Sequence, residues 1–124
     1  RDKLGELIRG VREIGRKEAL PLPFYGHAGD ANIHFRPLFR ADAPDLSERI
    51  RRVAEAGYTL ATALGGTVTG EHGLGPLRVP FLELEWGSEG VALFGSLKSI
   101  FDPEGILNPG SLLPRQELLE NFIP

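Results

Sequence analysis

At 124 residues the chain is long enough for one domain, and its 41% hydrophobic and 25% charged content is that of an ordinary globular protein. A net charge of −3 argues against a nucleic-acid surface, and the absence of cysteine excludes disulfides and thiolate metal sites. No apolar run approaches the length of a membrane span, and no signal-peptide pattern is visible. The sequence holds no methionine and opens at Arg1 directly into a helical pattern, so it reads as a segment of a longer protein.

Leu4, Leu7, Ile8, Val11 and Ile14 recur at helical spacing with charged residues between them. They predict a first helix, capped by Asp2 and ended near Leu20 because Pro21 and Pro23 cannot continue it. Leu22 to Gly26 and Ile33 to Arg36 read as two short strands. After a loop at Arg40 to Asp45, Leu46, Ile50, Val53, Tyr58, Leu60, Ala61 and Leu64 mark a second amphipathic helix, stopped by Gly65-Gly66. Thr67-Val68-Thr69 is β-branched and reads as strand, and Glu71 to Pro76 as loop. A short helical stretch is expected near Pro80 to Glu85. A third clear helix is expected from a Ser88 cap, burying Val91, Phe94, Leu97, Ile100 and Phe101. Trp86 is expected against the core or a neighbouring domain. Asp102-Pro103-Glu104-Gly105 reads as a turn, and the residues after Gly110 as a loosely tied tail. The fold class is α+β: a small antiparallel sheet packed with about three helices.

All three histidines fall in two glycine-rich stretches, Gly26-His27-Ala28-Gly29-Asp30-Ala31-Asn32-Ile33-His34 and Gly70-Glu71-His72-Gly73-Leu74-Gly75. On one continuous strand, His27 and His34 would face opposite ways. A hairpin with Asp30-Ala31 as a two-residue loop pairs His27 with His34, so that two imidazoles converge. Ala31 is a poor residue for such a turn, which asks for positive φ at both central positions. With Glu71, the pair makes a two-histidine, one-carboxylate set suited to Zn²⁺, Mn²⁺ or Fe²⁺. Adjacent side chains of an extended chain point apart, which leaves His72 to act as a general base. Arg36 and Arg78 have the fork geometry to bind a substrate carboxylate and, with Asn32, form the candidate substrate contacts. Asp30 reads as a turn former, and Asn108 before Pro109 as the end of an extended segment.

Three ordered motifs carry a family resemblance: Gly26-His27-x-Gly29-Asp30-x-Asn32-x-His34, then Gly70-Glu71-His72-Gly73-x-Gly75-x-x-Arg78, then Phe101-Asp102-Pro103-x-Gly105-Ile106-Leu107-Asn108-Pro109-Gly110. Over roughly residues 5 to 113 the chain resembles the C-terminal part of the FAD-linked oxidases and dehydrogenases of 2-hydroxy acids. That group includes the flavin subunit of glycolate oxidase, D-lactate dehydrogenase and D-2-hydroxyglutarate dehydrogenase. The resemblance implies an architecture like that of vanillyl-alcohol oxidase. Residues 1–124 would be the C-terminal fragment of a ferredoxin-like cap domain over a flavin held mainly by an N-terminal domain. It further implies His27, His34 and Glu71 as ligands of a divalent ion, often zinc, with His72 taking the substrate hydroxyl proton while hydride passes to FAD. Asn108 and Glu71 would lie toward the flavin. The implied partners are the protein's own FAD-binding domain, a small 2-hydroxy acid, and an iron–sulfur or other electron-transfer subunit. The implied location is the cytoplasm, peripheral to the inner membrane. Ala31 where glycine is usual, Arg36 where some members carry asparagine, and Ser111 where lysine is usual depart from the pattern. Without its FAD-binding half the chain is expected to be inert. The competing reading is a stand-alone metal-binding or interaction module with no enzyme activity.

Overall fold

The structure, a computed structural model, describes residues 1–113; most of the expected tail, residues 114–124, lies outside them. It is α+β, with long helices and one two-stranded antiparallel sheet among the described residues. The chain forms two compact units, Arg1–Gly66 and a second that begins at Thr67.

The first unit runs α1 (Leu4–Lys17), β1 (Phe24–His27), a single 3₁₀ turn (Ala28–Asp30), β2 (Asn32–Phe35) and α2 (Leu46–Ala63). The helical periodicity locates both helices well, but Asp2 is not the cap. Helix α1 begins after Lys3, whose side chain makes no capping hydrogen bond. Its end is closed by Ala19 at φ 49°, a left-handed residue that lets the Leu20 N–H donate to the Gly15 carbonyl at 3.0 Å. Arg49 of α2 donates to the Glu18 carbonyl at 2.6 Å, and Arg52 reaches the Glu18 carboxylate. These bonds tie the polar end of α1 to α2. The apolar seam between the helices contains Val11 and Val53, each 1% exposed. Gly10 lets Leu60 lie directly against the α1 backbone.

The phenylalanine face of the β1–β2 hairpin, where Phe24 pairs with Phe35, meets these helices. Gly57 of α2 admits the Phe35 ring where a side chain would collide with it, and the Arg12 guanidinium of α1 sits 5.7 Å from the centre of the Phe24 ring. Both phenylalanines are half-buried, and this packing supports the hairpin, since two strands alone are marginal in water.

The second unit holds α3 (Gly75–Arg78), a 3₁₀ turn (Val79–Phe81) and α4 (Leu82–Phe101). Its buried residues include Val68, Val79, Phe81 and Leu82. Helix α4 is interrupted at Gly87 (φ 64°, ψ 173°), so two helical stretches meet directly before Ser88, where the sequence places the boundary. The expected burial does not follow. Leu97, Ile100 and Phe101 are 49%, 72% and 75% exposed, and Trp86 is 53% exposed, touching Phe94 edge-to-face at 5.3 Å. Periodicity defines an apolar side of a helix; it does not supply a surface to cover it.

Thr67-Val68-Thr69 is not a strand. The Glu85 carboxylate accepts hydrogen bonds from the Val68 N–H (2.9 Å) and the Thr67 hydroxyl (2.8 Å), so the donor a sheet would use is already taken.

The hairpin depends on a close approach at Gly26, where any Cβ would be driven into the Asn32 carbonyl oxygen. In urea unfolding, Gly26→Ala is expected to cost roughly 2–3 kcal/mol. Gly29→Ala, whose methyl group meets nothing within 4 Å, should change stability by less than about 0.5 kcal/mol.

Candidate functional site

Strand alternation sorts the first motif onto two faces. Phe24, Gly26, Ile33 and Phe35 share one face; Tyr25, His27, Asn32 and His34 share the other. The Arg36 N–H donates to the Pro23 carbonyl at 2.8 Å, which extends the ladder past β2 and keeps Arg36 on the histidine side.

The expected hairpin is present, with a different register. His27 pairs with Asn32 and Tyr25 with His34, so the two histidines are diagonal neighbours and not an opposed pair. The two-residue turn fails because it needs left-handed backbone at both central positions, and only Ala31 adopts it, at φ 55°. The chain instead makes the 3₁₀ turn Ala28–Asp30 and then reverses at Ala31. A register change of two residues keeps every side chain on its original face. The imidazoles therefore still meet, edge-to-face with centroids 5.6 Å apart. Asp30 is occupied in an exposed ion pair with Arg1 at 3.2 Å, in keeping with a structural role.

Tyr25, one residue outside the first motif, completes this face. The Tyr25 ring lies 5.3 Å from that of His34, and its hydroxyl accepts from Arg36 Nε (3.2 Å) and Nη2 (3.0 Å). Period-two alternation from His27 was the signal that could have found it.

The second motif lies in the second unit. Positive φ at Gly70 (52°), Gly73 (68°) and Gly75 (62°) bends the chain into a tight loop that residues with a Cβ seldom follow. The His72 N–H donates to the Thr69 carbonyl at 3.2 Å. Because the segment turns, the side chains of Glu71 and His72 do not diverge as an extended chain would require. His72 Nε2 lies 3.5 Å from Glu71 Oε1, and both side chains are substantially exposed. Arg78, half-buried, donates from Nη1 to the Gly73 carbonyl at 3.3 Å and so braces the loop it follows.

The third motif is organised by Asp102, 6% exposed. Its carboxylate accepts from the Ile106 and Leu107 N–H groups at 3.0 Å each, and from the Lys98 ammonium, which also donates to the Leu107 carbonyl. The Gly105 N–H closes the expected turn on the Asp102 carbonyl at 3.1 Å. The result exposes Ile106, Leu107 and Asn108 on one short segment. Asn108 is left-handed (φ 44°), contrary to the extended conformation expected before a proline, and its carbonyl accepts from the Ser111 N–H at 3.1 Å.

The family model for the C-terminal domain of FAD linked oxidases matches residues 1–112. The chain belongs to this family. Within it, this FAD-linked oxidase domain is 35% identical over 117 residues to the glycolate oxidase subunit GlcD of Bacillus subtilis (strain 168). It is 36% identical over 111 residues to a D-lactate dehydrogenase of Archaeoglobus fulgidus. It is 34% identical over 113 residues to the mitochondrial D-2-hydroxyglutarate dehydrogenase of Danio rerio. The matches cover 93%, 90% and 91% of this chain, but only 24%, 24% and 21% of those proteins. The domain thus spans about a quarter of the length of the curated relatives it matches.

The hydrogen bond from Lys98 and those from the Leu107 and Ile106 N–H groups hold the Asp102 carboxyl below the usual carboxylate range, against the opposing effect of burial. A depressed folded-state pKa makes the stabilisation complete above the unfolded value, near pH 4, and removes it as pH falls through the folded value. The urea midpoint of the wild type should therefore drop on acidification below about pH 4. Asp102→Asn should start lower at neutral pH and lose that part of the acid dependence.

Proposed function

We propose that this chain is the substrate-side domain of an FAD-dependent oxidoreductase that converts a 2-hydroxy acid of the glycolate or D-lactate type into the 2-oxo acid. One observation carries the reading: His27, His34, Asn32 and Arg36 share one face of the hairpin. The relatives support it, since glycolate, D-lactate and D-2-hydroxyglutarate all carry a hydroxyl group next to a carboxylate.

Two imidazoles meeting at 5.6 Å are donor chemistry that fits a divalent ion, and Glu71 would complete the set as a carboxylate from the glycine loop. Zinc is the first candidate. Such an ion would supply Lewis acidity, lowering the pKa of the substrate hydroxyl. FAD, carried mainly outside residues 1–124, would supply the hydride acceptor, with Asn108 and Glu71 toward it.

The chain's own residues do the rest. His72 takes the hydroxyl proton on a ring nitrogen, and the neighbouring Glu71 carboxylate stabilises the imidazolium that results. Asn32 and Arg36 orient the substrate carboxylate. Arg78 contributes through the loop it braces, in addition to the carboxylate contact expected from its charge. The full protein would work in the cytoplasm, peripheral to the inner membrane, and pass electrons to an iron–sulfur or similar subunit.

Metal content and steady-state rates of the full-length protein test this. His27→Ala, His34→Ala and Glu71→Gln should each lose bound metal. His72→Ala should retain it while kcat falls about 10²–10⁴-fold. Parallel loss of metal and activity in His72→Ala would make that residue a ligand and not the base. Residues 1–124 prepared alone should show neither flavin absorbance nor turnover of 2-hydroxy acids; activity from them would overturn the division of labour.

A further inference from the structure

We infer that Tyr25 is a positioning residue, which holds Arg36 beside the histidine pair as the anchor for a substrate carboxylate. The inference rests on the 2-hydroxy-acid reading and deepens it.

Along the histidine face of the hairpin the groups follow one another from the turn outward. His27 and Asn32 form the first pair, Tyr25 and His34 the next, and Arg36 stands opposite Pro23. Arg36 is exposed at that position, and its guanidinium is held by a neighbour. It folds back over the Tyr25 ring, its central carbon 5.8 Å from the ring centre. Two hydrogen bonds to the phenol oxygen fix its rotation, one from Nε and one from Nη2. The ring that holds it is also the ring that packs at 5.3 Å against His34. Tyr25 therefore links the cation to the histidine pair through direct contacts on both sides.

The choice of donors matters. A guanidinium can present a carboxylate with the edge formed by Nε and Nη2 or the edge formed by Nη1 and Nη2. Tyr25 occupies the first, leaving the Nη1 protons and one Nη2 proton as a fork. No carboxylate of the described residues pairs with Arg36; Asp30, the acid within the first motif, is turned to Arg1. Held in this way, Arg36 gives up rotamer freedom that a freely solvated arginine keeps, while its planar fork is set in advance for a bidentate partner. At 58% exposure Tyr25 contributes little to a core, so its hydroxyl pair with Arg36 is better explained by orientation than by packing.

The ligand group is a carboxylate. It can be the carboxylate next to the reacting hydroxyl or a second one at the far end of a dicarboxylic 2-hydroxy acid. D-Lactate and D-malate separate the two, because only D-malate has the second group.

The test uses the full-length flavoprotein as wild type, Tyr25→Phe, Arg36→Gln and the double variant. Binding of D-lactate and D-malate is measured by equilibrium titration, and turnover is followed separately. Arg36→Gln should weaken binding at least tenfold. Tyr25→Phe, which keeps the ring and removes only the hydroxyl, should raise Kd and KM several-fold while kcat changes much less. In the Arg36→Gln background, Tyr25→Phe should have no further effect. Loss confined to D-malate assigns the anchor to the far carboxylate, and loss for both acids assigns it to the near one. Either result supports the inference. Wild-type binding left unchanged by Arg36→Gln, or a Tyr25→Phe effect equal in both backgrounds, overturns it. So does a wild type that binds neither acid. Acids that bind through Arg36 and Tyr25 but are not oxidised would overturn the proposed reaction and leave the anchor standing.

Discussion

The approach of the Gly26 backbone to the Asn32 carbonyl oxygen is the constraint on which the hairpin depends. It lets β1 and β2 close with His27 opposite Asn32 and Tyr25 opposite His34. That register puts both imidazoles, the phenol and the guanidinium of Arg36 on the same side. No residue with a side chain fits at position 26 without moving backbone, so the conformation of one glycine controls the relative placement of four functional groups.

Stability and chemistry then occupy opposite faces. The phenylalanine side of the hairpin packs on α1 and α2, where Gly57 admits the Phe35 ring and Arg12 lies over Phe24, while Gly10 permits close contact between the helices themselves. The other side carries Tyr25, His27, Asn32 and His34. A sheet of two strands has no interior of its own, so the helices must supply one layer, and only the remaining face is available to a ligand.

The second unit relies on charged groups to hold irregular backbone. Glu85 accepts from the Thr67–Val68 segment, Asp102 from Ile106 and Leu107, and Arg78 donates to Gly73. In each case a side chain satisfies backbone groups that no helix or strand pairs, which is how a loop can be ordered without regular structure. The two glycine-rich motifs are thus held by different means: the first by a β-ladder, the second by a side-chain brace and left-handed glycines.

Local patterns were readable in the chain: helices from apolar periodicity, the hairpin from two short apolar runs around a turn, the α4 interruption near Ser88, and the family from three ordered motifs. They are readable because each depends on residues a few positions apart, whose spacing fixes which way they point. The hairpin register, the diagonal meeting of His27 with His34, the capture of Val68 by Glu85 and the exposure of Ile100 and Phe101 were not readable. Those depend on φ angles at single residues such as Ala31, on partners distant in sequence, and on whether a surface arrives to cover an apolar side. Tyr25 shows the boundary between the two. Its face follows from strand alternation, but its hold on Arg36 exists only once the two strands have paired.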